Sequence, residues 1–236
     1  MNKVRNAIIL AAGKGERMLP LTKNTPKPLI KIHGKPIIEN TIELLLSKGI
    51  DQISIVVGYL AEKFHYLTEK YPVEIIENNN YLTSNNISSL YVARERLGNT
   101  VILDADIWIE DSEVIKTEFE YSGYTGIWTD SHSDEWIQYE NNEGFLSHCS
   151  VGGDKGWILY SISYWNNEDC KKLKEDIEEA FITNKNTSIY WDDVPVFCYP
   201  EHYKLKIKKT EPNLFFEFDN IAELAAFDNS YSKYLK

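Results

Sequence analysis

The chain has 236 residues, 43% apolar and 26% charged, the balance of a folded domain with room for one sizeable core. Its net charge of −11 argues against nonspecific nucleic-acid binding, and no apolar run reaches the roughly 20 residues of a membrane span. Cys149, Cys170 and Cys198 are odd in number and lack CxxC spacing, which excludes a zinc site or disulfide framework and points to a reducing cytoplasm.

The first elements alternate. Residues 6–12 (NAIILAA) form a short apolar run, too short for a signal peptide, and read as a strand. Residues 36–50 (PIIENTIELLLSKGI) set Ile37, Ile38, Thr41, Leu44 and Leu45 at helical spacing, with Gly49 as the stop. Residues 52–58 (QISIVVG) read as a second strand, which completes a right-handed βαβ unit. A helix over 61–70, a strand over 73–78, a helix over 86–98 and a strand over 100–110 continue the alternation. Past about residue 120, TGIWTD, EWIQYE, GFLSHCS and GWILYSISYW read as antiparallel strands. Helices follow over 167–182 and near 220–234. The pattern predicts an α/β fold: a Rossmann-like open mixed sheet, mainly parallel, with a smaller antiparallel portion. It is read as one domain over 1–236, with a nucleotide-binding half to about 120 and an acceptor half beyond.

Charge is unevenly spread. Residues 1–36 hold eight cations against Glu16 alone, a net +7, so the other 200 residues carry −18. A basic segment on an acidic protein fits a local phosphate site. Within it, LAAGKGERM (10–18) runs from the first strand into Gly13, Lys14, Gly15 and Arg17. Glycines let backbone N–H groups reach phosphate oxygens. The spacing is neither GxGxxG nor the P-loop pattern. LDADIW (103–108) puts Asp104 and Asp106 at a strand end, which in a phosphate-handling protein suggests Mg²⁺. Asp104 points to the same side of an ideal strand and is expected to orient the ligand or its waters.

LAAGKGERM followed by TPKPLIKIHGKPIIE resembles the signature of the nucleotidyltransferases that activate sugar 1-phosphates and related small phosphates. The resemblance implies that the loop wraps a triphosphate, with Leu10, Ala11, Ala12, Gly13, Lys14 and Gly15 on the nucleotide. It makes Arg17 and Lys27 the catalytic cations, and Asp106 and Asp219 the metal ligands, with Asp219 preferred to Glu217. It also brings Tyr81, Asn86, Ser88 and Asp104 to the nucleotide, beside Tyr59 and Asn85. SDEWIQYE (133–140), SIYWDDV (188–194) and the asparagine-rich stretch 78–95 narrow this to a bacterial subgroup, which nearly the whole chain resembles: the CTP:phosphocholine cytidylyltransferases. That resemblance implies CMP transfer from CTP to phosphocholine, with pyrophosphate released. Trp136, Tyr190 and Trp191 then box the quaternary ammonium, and Asp192 supplies an anion. Cytidylyltransferases for 2-aminoethylphosphonate are the close alternative, because Asp130, Asp134, Glu135, Asp192 and Asp193 suit a primary ammonium. A hexose 1-phosphate nucleotidyltransferase is the more distant one. The expected partners are CTP and a small aminated phosphate or phosphonate, without nucleic acid or membrane. Oligomeric state is not legible, and no histidine receives a catalytic role.

Overall fold

A computed structural model describes residues 1–235. Its main sheet begins with β1 (Asn6–Ala11), whose residues alternate between two cores. Ala7, Ile9 and Ala11 face one core, which includes Ile38, Ile42 and Leu45 of helix α1 (Ile37–Ser47). Ile8 and Leu10 face the other. A strand covered on both faces must be apolar throughout, which is why this run shows no polar alternation.

Helix α1 stops where the sequence predicts. Gly49 has φ of +75°, its N–H donates to the Leu46 carbonyl, and the Ile50 N–H donates to the Leu45 carbonyl at 3.0 Å. These two bonds close a Schellman cap, which favours glycine at the left-handed position. The chain then enters β2 (Gln52–Val57), passes through α2 (Tyr66–Lys70) and forms β3 (Val73–Glu77). Helix α3 (Ile87–Ala93) leads to β4 (Thr100–Asp104). β2 and β3 extend the sheet from one side of β1, and β4 pairs on the other side, all parallel. The sheet reverses its order between β1 and β4, and a crevice outside the carboxyl ends of strands at such a point is where open α/β sheets bind ligands.

The predicted strand over 100–110 is two strands. After β4, the Ala105 N–H donates to the Leu10 carbonyl at 3.0 Å, and the chain turns out of the main sheet. It resumes as β5 (Ile107–Ile109), which pairs with a later strand, β11 (Phe215–Glu217), in a separate sheet. The interruption leaves Asp106 in the turn.

The second half adds antiparallel strands to the same sheet. These are β6 (Gly123–Thr129), β7 (Ser133–Glu140), β8 (Leu146–Gly153) and β9 (Gly156–Trp165). The order along the nine-stranded sheet is β8-β7-β9-β4-β1-β2-β3. β6 and β10 (Lys208–Thr210) are attached beside β9. Strand β9 joins the halves by pairing antiparallel with β4. Helix α4 (Asn167–Glu178) is capped by Asn166, whose Oδ1 accepts from the N–H groups of Glu168 and Asp169 at 2.9 Å. It places Leu173 and Ile177 in the core beside α3. The helices predicted over 86–98 and 167–182 are shorter, giving way to tighter or wider turns at Arg94–Arg96 and Glu179–Thr183. The last helix also divides, into α5 (Ile221–Phe227) and a turn over Asn229–Tyr234. Between them Asp228 accepts from the backbone N–H groups of His33 and Ser230. No helix among the described residues is long and apolar enough to cross a membrane.

Candidate active site

The glycine loop is fastened from below. Met18 is fully buried with Ile30, Ile32, Ile37, Trp108 and Phe218, in a small core that joins the loop to the C-terminal segment. Gly15 has φ of +61°, and a Cβ there would lie 3.1 Å from both Lys27 Cβ and Thr22 Cγ2. Its carbonyl accepts from the Met18 N–H and the Thr22 hydroxyl, each at 2.9 Å. Glycine is therefore required twice over, by conformation and by the close approach of Lys27. Above the loop lies a cavity of about 350 Å³ that reaches from Leu10–Gly13 to Asp104 and Asp106.

Two residues 202 positions apart in sequence meet here: Arg17 donates to Asp219 Oδ1 at 2.7 Å. Lys27 donates to Asp106 Oδ2 at 2.7 Å, and its Nζ lies 3.7 Å from Asp219 Oδ1. Burial alone pulls the Lys27 ammonium toward neutrality. Asp106, with Glu217 and Asp219 behind it, more than offsets this and holds its pKa above the ordinary lysine value.

The acids are crowded. One carboxylate oxygen each from Asp106, Glu217 and Asp219 lies within 4.8 Å of the others. Burial, then Asp106, then Asp104 and Asp219 drive the Glu217 carboxyl well above the usual carboxylate range. Burial, then Asp106 and Asp192 do the same to Asp104. Four acids thus face two cations, Lys27 and Arg17. Asp106 Oδ1 is buried and has no hydrogen-bond partner. A hard divalent cation fits such an oxygen-only set, because it satisfies the orphaned oxygen and lets the crowded acids ionise. Sequence reading prefers Asp219 to Glu217; the fold brings both to the cluster. The signal was the i, i+2 spacing, which puts both on one side of an extended strand, as with Asp104 and Asp106.

A second cavity of about 290 Å³ adjoins the first, and Arg17, Asp104 and Asp219 line both. Its other walls include Glu135, Trp136, Ser161, Tyr190, Asp192 and Glu217. Trp136 is edge-on to Tyr190 at 6.1 Å and to Phe197 at 5.1 Å between ring centroids. Burial pushes the Asp192 carboxyl up to about 7.

Three expected site residues lie elsewhere, and a fourth, Lys14, stands in the loop between the lining residues Gly13 and Gly15. Trp191 is 1% exposed and packs in the core with Tyr124 and Trp165, so it is no wall of the acceptor box. Its neighbours Tyr190 and Asp192 reach the cavity from a turn in which the Asp193 N–H donates to the Tyr190 carbonyl and the Val194 N–H to the Trp191 carbonyl. Ser88 is fully buried, with its hydroxyl donating to the Asn85 carbonyl and accepting from Asn78. Ser89 lines the cavity instead. Tyr81 packs against Gly58 and lies off the cavity lining. Lys14 is exposed and pairs with Glu16 at 3.4 Å. Asn86 does line the first cavity, and its Oδ1 accepts from the Trp191 N–H at 2.8 Å, tying the two cavities together. Tyr59 donates to the carbonyls of Thr22 and Lys23, and so braces the segment that follows the loop.

Residues 6–122 match the nucleotidyl transferase family. The chain is 41% identical to a 2-aminoethylphosphonate cytidylyltransferase of Lancefieldella rimae, over 96% of this chain and 93% of that one. It is 34% identical to a choline-phosphate cytidylyltransferase of Streptococcus pneumoniae, over 92% and 94% respectively. The solved structure of a CTP:phosphocholine cytidylyltransferase from Streptococcus pneumoniae superposes with a TM-score of 0.89 at 33% identity, covering 95% of this chain and 98% of that one.

Proposed function

This chain belongs to the nucleotidyl transferase family and is a cytidylyltransferase of the phosphocholine or 2-aminoethylphosphonate type; from that premise we propose that it transfers CMP from CTP to 2-aminoethylphosphonate. The carrying observation is the composition of the acceptor cavity. With Trp191 in the core, Trp136 and Tyr190 are the aromatics left on its wall, facing Glu135, Asp192, Asp104 and Glu217. A primary ammonium has three N–H donors to satisfy, and directed carboxylates satisfy them. A trimethylammonium relies on aromatic faces instead. Phosphocholine, first by sequence resemblance, is the second reading, and the edge-to-face group of Trp136, Tyr190 and Phe197 favours it.

The reaction follows from the charges. The CTP triphosphate lies over Leu10–Arg17, where loop N–H groups, Arg17 and Lys27 bind its oxygens. In the free protein both cations are engaged by Asp219 and Asp106. Asp106, Asp219 and Glu217 would hold Mg²⁺, which supplies Lewis-acid charge to the phosphates. An ionised phosphonate oxygen attacks the α-phosphorus in line. A new P–O bond forms there, and the bond from the α-phosphorus to the bridging oxygen breaks. Pyrophosphate leaves with the electron pair, steadied by Arg17 and Lys27. The attacking oxygen is already ionised near neutral pH, so no protein base is needed.

Pyrophosphate release from CTP and Mg²⁺, with each acceptor in turn, tests the reading. The expected kcat/KM for 2-aminoethylphosphonate exceeds that for phosphocholine by about tenfold or more, since a site built around N–H donors rejects a ligand lacking them. Equal or better use of phosphocholine overturns it.

A further inference from the structure

Behind the acceptor cavity, Asp192, one of the carboxylates set toward the ammonium above, meets a buried polar group that the reaction does not use. Asp192 is buried, lines the cavity, and its Oδ1 has no hydrogen-bond partner. Tyr124 is fully buried, and its hydroxyl is also without a partner. The two groups lie close enough to interact, but the hydroxyl does not close a well-formed hydrogen bond to the carboxyl. An unpartnered hydroxyl in a dry core costs stability, and a group kept at that cost calls for an explanation.

The backbone aims Tyr124 there. Strand β6 has a register shift between Tyr124 and Thr125, and a bulge of this kind redirects the side chain beside it. The ring is then locked, edge-on to Trp165 at 5.7 Å and tilted against Trp191 at 5.8 Å. Trp191 therefore does touch the question of acceptor binding, but through the ring that it wedges rather than through its own face. The Trp191 N–H bond to Asn86 and the Tyr190 N–H bond to Asp193 fix the backbone on which Asp192 rides. The Cys149 thiol and Asp193 also face Asp192, and neither supplies a strong donor to it.

We propose that Tyr124 is a positioning residue for the acceptor: its hydroxyl donates to one oxygen of the Asp192 carboxylate and holds the other toward the acceptor's ammonium group. The inference rests on the reading that an ammonium occupies this cavity. The hydroxyl offers Asp192 the donor that the surrounding apolar core withholds, so the acid can carry charge when the cation arrives.

Tyr124→Phe removes one oxygen and keeps the ring. Its KM for the aminated acceptor is expected to rise about tenfold, the effect of one hydrogen bond to a charged group. The KM for CTP, kcat at saturating acceptor and Tm should stay near wild type. Asp192→Asn should raise the acceptor KM as well, and adding Tyr124→Phe to it should change little further, because the two residues act as a unit. The cycle is run on both 2-aminoethylphosphonate and phosphocholine. A preference for phosphocholine with the coupling intact removes the substrate reading and leaves the positioning role standing. An acceptor KM within twofold of wild type in Tyr124→Phe overturns the role. So do effects of the two substitutions that simply multiply, or equal losses toward CTP and acceptor.

Discussion

The two adjoining cavities are built from different materials. The one above the glycine loop takes most of its lining from residues close in sequence, Leu10 to Pro28, fastened by hydrogen bonds to Gly15 and by buried Met18. The acceptor cavity draws single side chains from β7, β9, the 190–192 segment and β11. A triphosphate presents the same geometry whatever is being activated, so a continuous loop can recognise it. An acceptor differs from enzyme to enzyme, and a wall assembled from scattered residues can change one residue at a time. The acids meet at the junction: Asp104 and Asp219 line both cavities, Asp106 the first and Glu217 the second.

The contrast is sharpest at the junction. Asp106→Asn keeps the shape and removes the charge, so kcat should fall by roughly 10²–10³-fold or more while the circular-dichroism spectrum is unchanged. Titrating Mg²⁺ against kcat checks this, and near-wild-type turnover at ordinary Mg²⁺ would remove Asp106 from the metal cluster. Next in size is a pair of tryptophans. Trp191→Ala empties a core site and should cost about 3–5 kcal/mol in denaturant unfolding. Trp136→Ala should leave stability nearly intact and raise the acceptor KM by about 2- to 30-fold, the worth of one aromatic face toward a cation. The opposite pattern, Trp191 acting on acceptor KM alone, would return Trp191 to the cavity wall.

The smallest expected effect is on stability against pH. Asp192 sits near 7 in the folded protein, above the ordinary carboxylate range. The folded state therefore binds its proton more tightly than the unfolded chain does. The stability this contributes is complete below about pH 4 and is lost as pH rises through about 7. Asp104 and Glu217 are shifted in the same direction and add to the slope. In protein free of metal and nucleotide, Asp192→Asn should gain on wild type by about 1 kcal/mol per pH unit across this window. Parallel stability curves for the two proteins would mean that Asp192 is already ionised in the fold.

Much of the fold was legible because its signals are local. Apolar runs too short for buried helices marked β1 and β2, Gly49 marked the end of α1, and the spacing from Gly13 to Lys27 marked the loop. Strand 100–110 was misjudged as continuous because the break at Ala105 is made by a hydrogen bond to Leu10, from ninety-five residues earlier, and nothing in its own apolar run shows it. The candidate site divides the same way. Arg17, Lys27, Asp104 and Asp106 could be named from short motifs and the family resemblance that those motifs carry. The i, i+2 spacing of Glu217 and Asp219 was legible too, but their approach to Asp106 depends on β11 pairing with β5.

What the sequence by itself determined is therefore the part of the candidate site that a short stretch of chain can carry: a glycine loop after a strand, two cations close behind it and a pair of aspartates at a strand end. What only tertiary structure decided is which way each side chain faces once distant segments meet. Tyr190, Trp191 and Asp192 are consecutive and equally plausible on paper. Packing sends the middle one into the core against Tyr124 and Trp165 and leaves its neighbours at the acceptor cavity. The physical reason is that burial is settled by the whole apolar surface a residue can join, and that surface comes from β6, β9 and α4, far from residues 190–192 in the chain.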